Sequence, residues 1–461
     1  MYKLIFRAVR LSIHSCENID KRKSSLRRGW LKSSWAGSIM RPIQGGFFRH
    51  AATLAVVLSI LSVVTESTLG QTLQPSLSSE TTRLVSFSPP APDSNAGGLT
   101  RVPLAQNPVK YATAQDTALH HYEYVFPDGN IYVYDLDNAF KLVKHISVPT
   151  SAGVRGCVAS AATGILYLSF GSDAAGGHML AYDLRHDAVL WQQHYPFGID
   201  SMAITVDGKL IYMPVGELAS DGIWEVLDAN TGTFRGSIDT RGKGPHNTVL
   251  SADGSHVYMG PRSSNYLVVA DTANNTVIRA IGPVKSGVRP FTINKEESLA
   301  FITTSGFLGF QVGEIKTGRI IYTVPVRGFP SSRGAASAPS HGISLSPDEK
   351  EVYLIDSINS YVHVFDVNEL PAAAPRQVAD IKLVDALSGD ERGCAYDCLK
   401  DGWIHHSRDG RYVLVGDSGD VISTARRVKV GTLRAMADTR KEIEIDFQKG
   451  APVWAMNNRA S

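Results

Sequence analysis

Beyond residue 120 the apolar residues fall in short alternating runs separated by Gly, Asn and Asp, and two kinds of run recur. The first is a polar turn entering a strand that ends on a large apolar residue. It reads VDGKLIY (206–212), ADGSHVY (252–258), EESLAF (296–301), PDEKEVY (347–353) and RDGRYVL (408–414), with ATGILY (162–167) as a shortened copy. The second is a strand ending in an acidic turn: YVYDLDN (132–138), LAYDLRH (180–186), WEVLDANTG (224–232), VVADTANN (268–275), VGEIKTG (312–318) and VHVFDVN (362–368), with VISTARR (421–427) as a weaker copy. Their turn residues Asp135, Asp183, Asp228, Asp271, Glu314, Asp366 and Ser423 stand 43 to 57 residues apart. Period-two alternation bounded by turn residues predicts strands, and about four short strands per repeat predict propeller blades.

The second run occurs seven times, the first six. The C-terminal IEIDFQKGAPVWAM (443–456) supplies the seventh, with Lys449-Gly450 at the turn and Trp454 in the terminal apolar place. Residues 124–148 enter with outer strands only, so the N- and C-terminal hairpins are expected to complete one blade together, which removes free sheet edges at the junction. The fold class is all-β, a seven-bladed β-propeller of four-stranded blades.

Segments 198–214 (GIDSMAITVDGKLIYMP), 245–260 (PHNTVLSADGSHVYMG), 288–294 (VRPFTIN), 340–354 (SHGISLSPDEKEVYL) and 402–422 (GWIHHSRDGRYVLVGDSGDVI) resemble the YVTN/YncE-like family of exported bacterial propellers. That family sits in a wider group with lactonase-like and quinoprotein amine dehydrogenase beta-chain-like propellers. The resemblance covers about three-quarters of the chain and implies the fold; such propellers host binding, transport and catalysis alike.

Counting back 12 residues from Tyr167, Tyr212, Tyr258, Phe301, Tyr353, Leu414 and Trp454 lands on Arg155, Asp200, His246, Arg289, His341, Gly402 and Glu442. Six of these are charged or His, and in a propeller equivalent positions converge on the central channel, where a ligand site would sit. Blade six adds Trp403, His405 and His406. The candidate ligand residues are Arg155, Asp200, His246, Arg289, His341, Glu442 and Trp403. A transition-metal site would use His246, His341 and His405 or His406, with Asp200 or Glu442 as oxygen donors. The plain structural alternative is a ring that only satisfies backbone groups and pairs Arg with Asp across blades.

The N-terminal 70 residues have a different character. Residues 51–64, AATLAVVLSILSVV, form an apolar run that is short for a membrane span and suits a signal-peptide core. Arg41, Arg49 and His50 precede it, and Met40 stands where such a signal would start, marking an alternative true start. The expected division is a leader over 1–70, a Ser/Pro/Gly-rich flexible linker over 71–120 and the propeller over 121–461. Export to a periplasmic or secreted location is the expectation, with the membrane involved only through an uncleaved signal segment. Of the four cysteines, Cys394 and Cys398 are expected to form a disulfide, which export permits, and Cys157 to be a buried small hydrophobe.

The net charge of +2 conceals an uneven distribution. Residues 71–461 hold 35 basic and 41 acidic groups, so no basic field attracts nucleic acid. No Cys-x-x-Cys-His marks covalent haem, no phosphate loop opens a helix, and Trp is too sparse for a pyrroloquinoline quinone propeller. Gly416-Asp417-Ser418-Gly419 resembles a protease nucleophile loop but lacks a matching His and Asp context. The expected function is an exported binding or interaction propeller, its partner a small molecule or an extracytoplasmic protein. The alternative is a channel-mouth enzyme, a lactonase-like hydrolase or a metal-dependent oxidoreductase. There His246 or His341 would act as general base, and Arg155 and Arg289 would steady oxyanion charge.

Overall fold

The acidic turn residues end one strand and cap the turn into the next. Asp135, Asp183, Asp228 and Asp271 each accept hydrogen bonds through Oδ1 from the backbone N–H groups two and three residues on, closing the turn to the outermost strand. Asp366 does the same with Asn368. A short side chain with a fixed acceptor serves this geometry better than a longer one, and the repetition of this turn sets the repetition of the blade.

The computed structural model describes residues 117–331 and 337–457, with a further two-residue strand at Val102–Pro103. These residues form seven antiparallel sheets arranged as a seven-bladed propeller. The inner strands of blades one to six are Val154–Ser160, Ala203–Ile204, Pro245–Leu250, Val288–Ile293, Ile343–Leu345 and Trp403–His406. The leader and its apolar run 51–64 lie outside the described residues, as does most of the expected linker. Val102–Pro103 pairs with Ala188 and Val189 on the outer edge of blade one. Among the described residues no helix is long and apolar enough to cross a membrane.

The terminal large residues pack where the repeat places them. Tyr167, Tyr212, Tyr258, Phe301, Tyr353 and Leu414 are all fully buried between blades. Each stands on the second strand of its blade. There Tyr167 opposes Ala181, two pairs from Asp183, and Tyr212 opposes Val226, two pairs from Asp228.

The seventh blade obeys the same rule with different chain segments. Leu119–Val125, Asn130–Asp135 and Lys141–Ser147 form its outer three strands, and Glu442–Gln448 takes the inner place. In this register Tyr124 opposes Val133, two pairs from Asp135, and is fully buried. Tyr124 is therefore the seventh anchor, and the expectation for Trp454 is corrected. Ala451–Ala455 folds back on the inner edge of the sheet as a fifth strand, because Leu119–Val125 already holds the place beside Glu442–Gln448. Trp454 is half-buried and lies under the Arg408 guanidinium, 5.0 Å from the ring centre. Beyond this strand, the Asn457 side chain bonds both backbone groups of Ala159 on the inner strand of blade one.

A polar cluster supports the closure. His121 Nδ1 lies 2.8 Å from Asp446 Oδ1 and 3.3 Å from Glu444 Oε1, and Arg408 Nη1 bonds Asp446 Oδ2 at 2.7 Å. Asp446 and Glu444 push the His121 imidazole up from 6.5 to about 10. Because the folded value lies above the ordinary one, this stabilisation is complete below pH 6.5 and is lost as pH rises through 10.

Two outcomes are expected for the closing blade. Tyr124→Ala should lower unfolding free energy by about 3–5 kcal/mol, the range for deleting a buried aromatic ring, while Trp454→Ala costs under about 1 kcal/mol. Denaturant titration of both variants checks this, and equal losses would contradict the assignment of the anchor. His121→Gln should flatten the fall in melting temperature between pH 6.5 and 10; an unchanged slope would place that dependence elsewhere.

Candidate functional site

The first strand of each blade starts at one face of the ring, and its starting residues point to the axis. Arg155, Asp200, His246, Arg289, His341 and Trp403 line one cavity of about 40 Å³ there. Glu442 does not join them. In blades one to six the candidate stands three residues before the partner of the anchor: Asp200 before Ala203, His246 before Val249, His341 before Ser344. Tyr124 pairs with Ile443, so the equivalent position in the closing blade is Arg440, which lines the cavity. The spacing of 12 misses by two residues because the closing blade takes its second strand from the N-terminal segment.

Further residues reach the mouth from loops on the same face. Glu217 and Arg262 come after the second strands of blades two and three, Ser337 precedes blade five, and Asp397 and Asp401 come from the connection into blade six. Lys441 stands next to Arg440. These loops differ in length from blade to blade, so no fixed offset in the sequence exposes them. Aligning Tyr124 with the other anchors would have found Arg440. The expected balance of two Arg against Asp200 and Glu442 is thereby corrected: five cationic side chains meet four carboxylates, with the two His between them.

Arg155 is the hub. Its Nη2 lies 2.9 Å from both Asp200 Oδ2 and Glu217 Oε2, and its Nη1 donates to Asp397 Oδ2. Arg262 donates to the same Glu217 oxygen. Burial disfavours the Asp200 charge, but His246, Arg155 and Lys441 outweigh it and hold the carboxyl well below its usual range. Burial raises Glu217 against the pull of Arg155. His246 Nε2 lies 3.3 Å from Asp200 Oδ2, yet burial pushes this imidazole down to about 3. Burial, with Arg440 nearby, likewise holds His341 well below the usual value, and its Nδ1–H donates to the Gly402 carbonyl at 3.2 Å. Both rings are neutral at pH 7.

Arg289 and Lys441 are the exceptions to this pairing. Arg289 is 6% exposed, and its Nε and Nη2 donate to Ser305 Oγ and Ser337 Oγ at 2.8 and 3.3 Å. Burial and the adjacent Arg262 lower its guanidinium to about 10. Burial and Arg440 lower the Lys441 amine to about 8. Among the described residues neither has a carboxylate at ion-pair distance. Arg440 Nε is buried without a hydrogen-bond partner among the described residues.

A second cavity of about 40 Å³ lies deeper, lined by Cys157, Trp403, His405, Glu442 and Met456 among others. Cys157 is only half-buried beside it, which corrects the expectation of a buried hydrophobe. His405 Nε2 lies 3.3 Å from Glu123 Oε1 and 3.8 Å from Glu442 Oε1. Burial raises both glutamic acids well above the carboxylate range. His406 turns the other way, bonding Ser344 Oγ at 2.8 Å and packing edge-on to Tyr353, because alternate residues of a strand face opposite sides.

The four metal-ligand candidates are therefore not gathered. His246 and His341 stay at the mouth with ring centres 6.4 Å apart, His405 lies below and His406 points away. Asp200, Glu217 and His246 do converge. The Arg155 guanidinium nevertheless sits on both carboxylates, where a cation would have to be, so the donor set does not fit a metal.

No family model and no curated protein matches the chain. Its shape is widely shared, with 1557 matching chains among solved structures. Hydrazine synthase from Kuenenia stuttgartiensis is similar at 14% identity and TM-score 0.45 over 59% of this chain and 77% of that one. A functionally unknown protein from Desulfotomaculum acetoxidans DSM 771 is similar at 12% identity and TM-score 0.54, over 70% of this chain and 98% of that one. The second likeness speaks for the fold alone, and identities this low carry no chemistry.

Proposed function

We propose that this chain is an exported propeller of the YVTN/YncE-like kind that binds a small oxyanion at its channel mouth. The observation that carries the reading is Arg289. A buried guanidinium whose partners among the described residues are hydroxyl groups is costly unless a negative charge completes it. Lys441 and the bare Nε of Arg440 line the same cavity. A volume of about 40 Å³ accepts a few waters or one small polyatomic ion, and excludes a drug-sized ligand. The apolar run 51–64 behind a basic flank supports export.

Catalysis by proton abstraction fits the site less well. His246 at about 3 and His341 held well below its usual value are weak bases at neutral pH, far from the match between catalytic pKa and working pH that general-base chemistry needs.

Calorimetric titration with acetate and with inorganic phosphate tests the reading. Saturable binding is expected in the native protein, and Arg289→Ala should weaken it at least about tenfold with little loss of stability, since no ion pair is broken. Failure of both probes to bind the native protein would overturn the proposal. Binding also has a predicted pH profile. Burial raises Asp401 to about 6, so its repulsion of an anion appears as pH rises through 6. Lys441 loses its charge as pH rises through 8. Affinity should therefore fall in two steps with rising pH, and an increase over that range would contradict the assignment.

A further inference from the structure

The mouth is covered by the connection that enters blade six. No residue from 388 to 400 is buried, so little apolar burial holds this segment down. Polar bonds hold it instead. Ala395 N–H donates to Asp128 Oδ2 at 2.6 Å, Arg440 Nη1 donates to the Leu399 carbonyl at 2.6 Å, and Lys400 Nζ donates to the Ala437 carbonyl at 2.6 Å. A disulfide between Cys394 and Cys398 closes the tip, with the two Cα atoms 5.6 Å apart.

The tip carries Asp397, held between the two bonded cysteines at a φ of +50°. Its Oδ2 accepts from Arg155 Nη1 and, at 2.6 Å, from Arg440 Nη2. The arginine side chains are 5% and 3% exposed, whereas that of Asp397 is 39% exposed. A carboxylate thus reaches down from the solvent side onto two buried guanidinium groups. Tyr396 flanks it, its ring centre 5.2 Å from the Arg155 guanidinium carbon.

We propose that residues 388–401 are a lid and that Asp397 is a built-in stand-in for the ligand, which is a carboxylate that displaces it from Arg155 and Arg440. The inference rests on the reading of the mouth as an anion site and adds the ligand class and the gate. Two arguments support it. Replacing one carboxylate by another on the same guanidinium pair exchanges like bonds, so the lid opens at small net cost. The cavity beneath a closed lid has room for little more than the charged group, so the rest of a larger carboxylate must leave through the place the tip occupies.

Titration with acetate and succinate at fixed pH and ionic strength tests this on the native protein, Asp397→Asn and Asp390→Asn. Asp390 is exposed on the same segment and lines no part of the mouth cavity, so its variant removes an equal charge without touching the arginines. Asp397→Asn should tighten binding about tenfold, as expected when a state closed about nine-tenths of the time is released, while Asp390→Asn changes it less than about twofold. In the native protein succinate should raise amide hydrogen exchange across 394–400, a readout independent of any effect of the variant on folding. Equal gains in both variants, no gain in Asp397→Asn, or unchanged exchange on succinate binding would each overturn the lid. If Arg289→Ala abolishes acetate binding while Asp397→Asn matches the native protein, the anion site stands and the lid falls. If no variant binds either carboxylate, both readings fall.

Discussion

Pairing of Leu119–Val125 with Glu442–Gln448 is the contact on which the rest of the molecule depends. A ring of blades can bury its inter-blade faces only if the last blade meets the first, and an open ring would leave a hydrogen-bonding edge at each end. Here three strands come from the N-terminal side and two from the C-terminal side. Tyr124 shares one core cluster with Ile443, Ile445 and Phe447 from the C-terminal segment and with Val154, Ala159 and Leu168 of blade one. The cluster of His121, Glu444, Asp446 and Arg408 joins the same two segments through charge as well as backbone.

Closure also decides the chemistry of the channel. It slides Arg440 into the seventh inward position and sends Glu442 deeper, so the mouth is richer in cations than six equivalent blades would make it. Arg155 holds three of the four carboxylates. That arrangement neutralises one guanidinium very fully, and among the described residues it leaves Arg289 and Lys441 with no carboxylate at ion-pair distance. Buried charge is tolerated where it is matched. Below the mouth, Glu123 and Glu442 flank His405, and burial raises both carboxyl groups well above their usual range, so this level differs in character from the charged one above it.

The architecture was legible because each blade carries its own local instructions. Asp228 closes its turn with bonds two and three residues away, and Tyr212 faces the core by strand alternation; both signals lie within one short window of sequence. Five ring residues, Arg155, Asp200, His246, Arg289 and His341, were legible for the same reason, since one hairpin links each to its anchor. Glu217, Arg262, Asp397 and Asp401 were not, because they sit on loops whose lengths obey no repeat.

The sequence by itself determined the all-β repeat, the number of blades and most of the inward-facing positions, since these are set by spacing within a single hairpin. The tertiary structure alone decided which segment stands beside Glu442–Gln448, and hence that Tyr124 and Arg440 replace Trp454 and Glu442 at the equivalent places. It also decided that His406 leaves the channel and that Asp397 meets Arg155 and Arg440. The physical reason is the same in each case. Spacing along a strand fixes which way a side chain points, but only contact between segments far apart in the chain fixes what it meets.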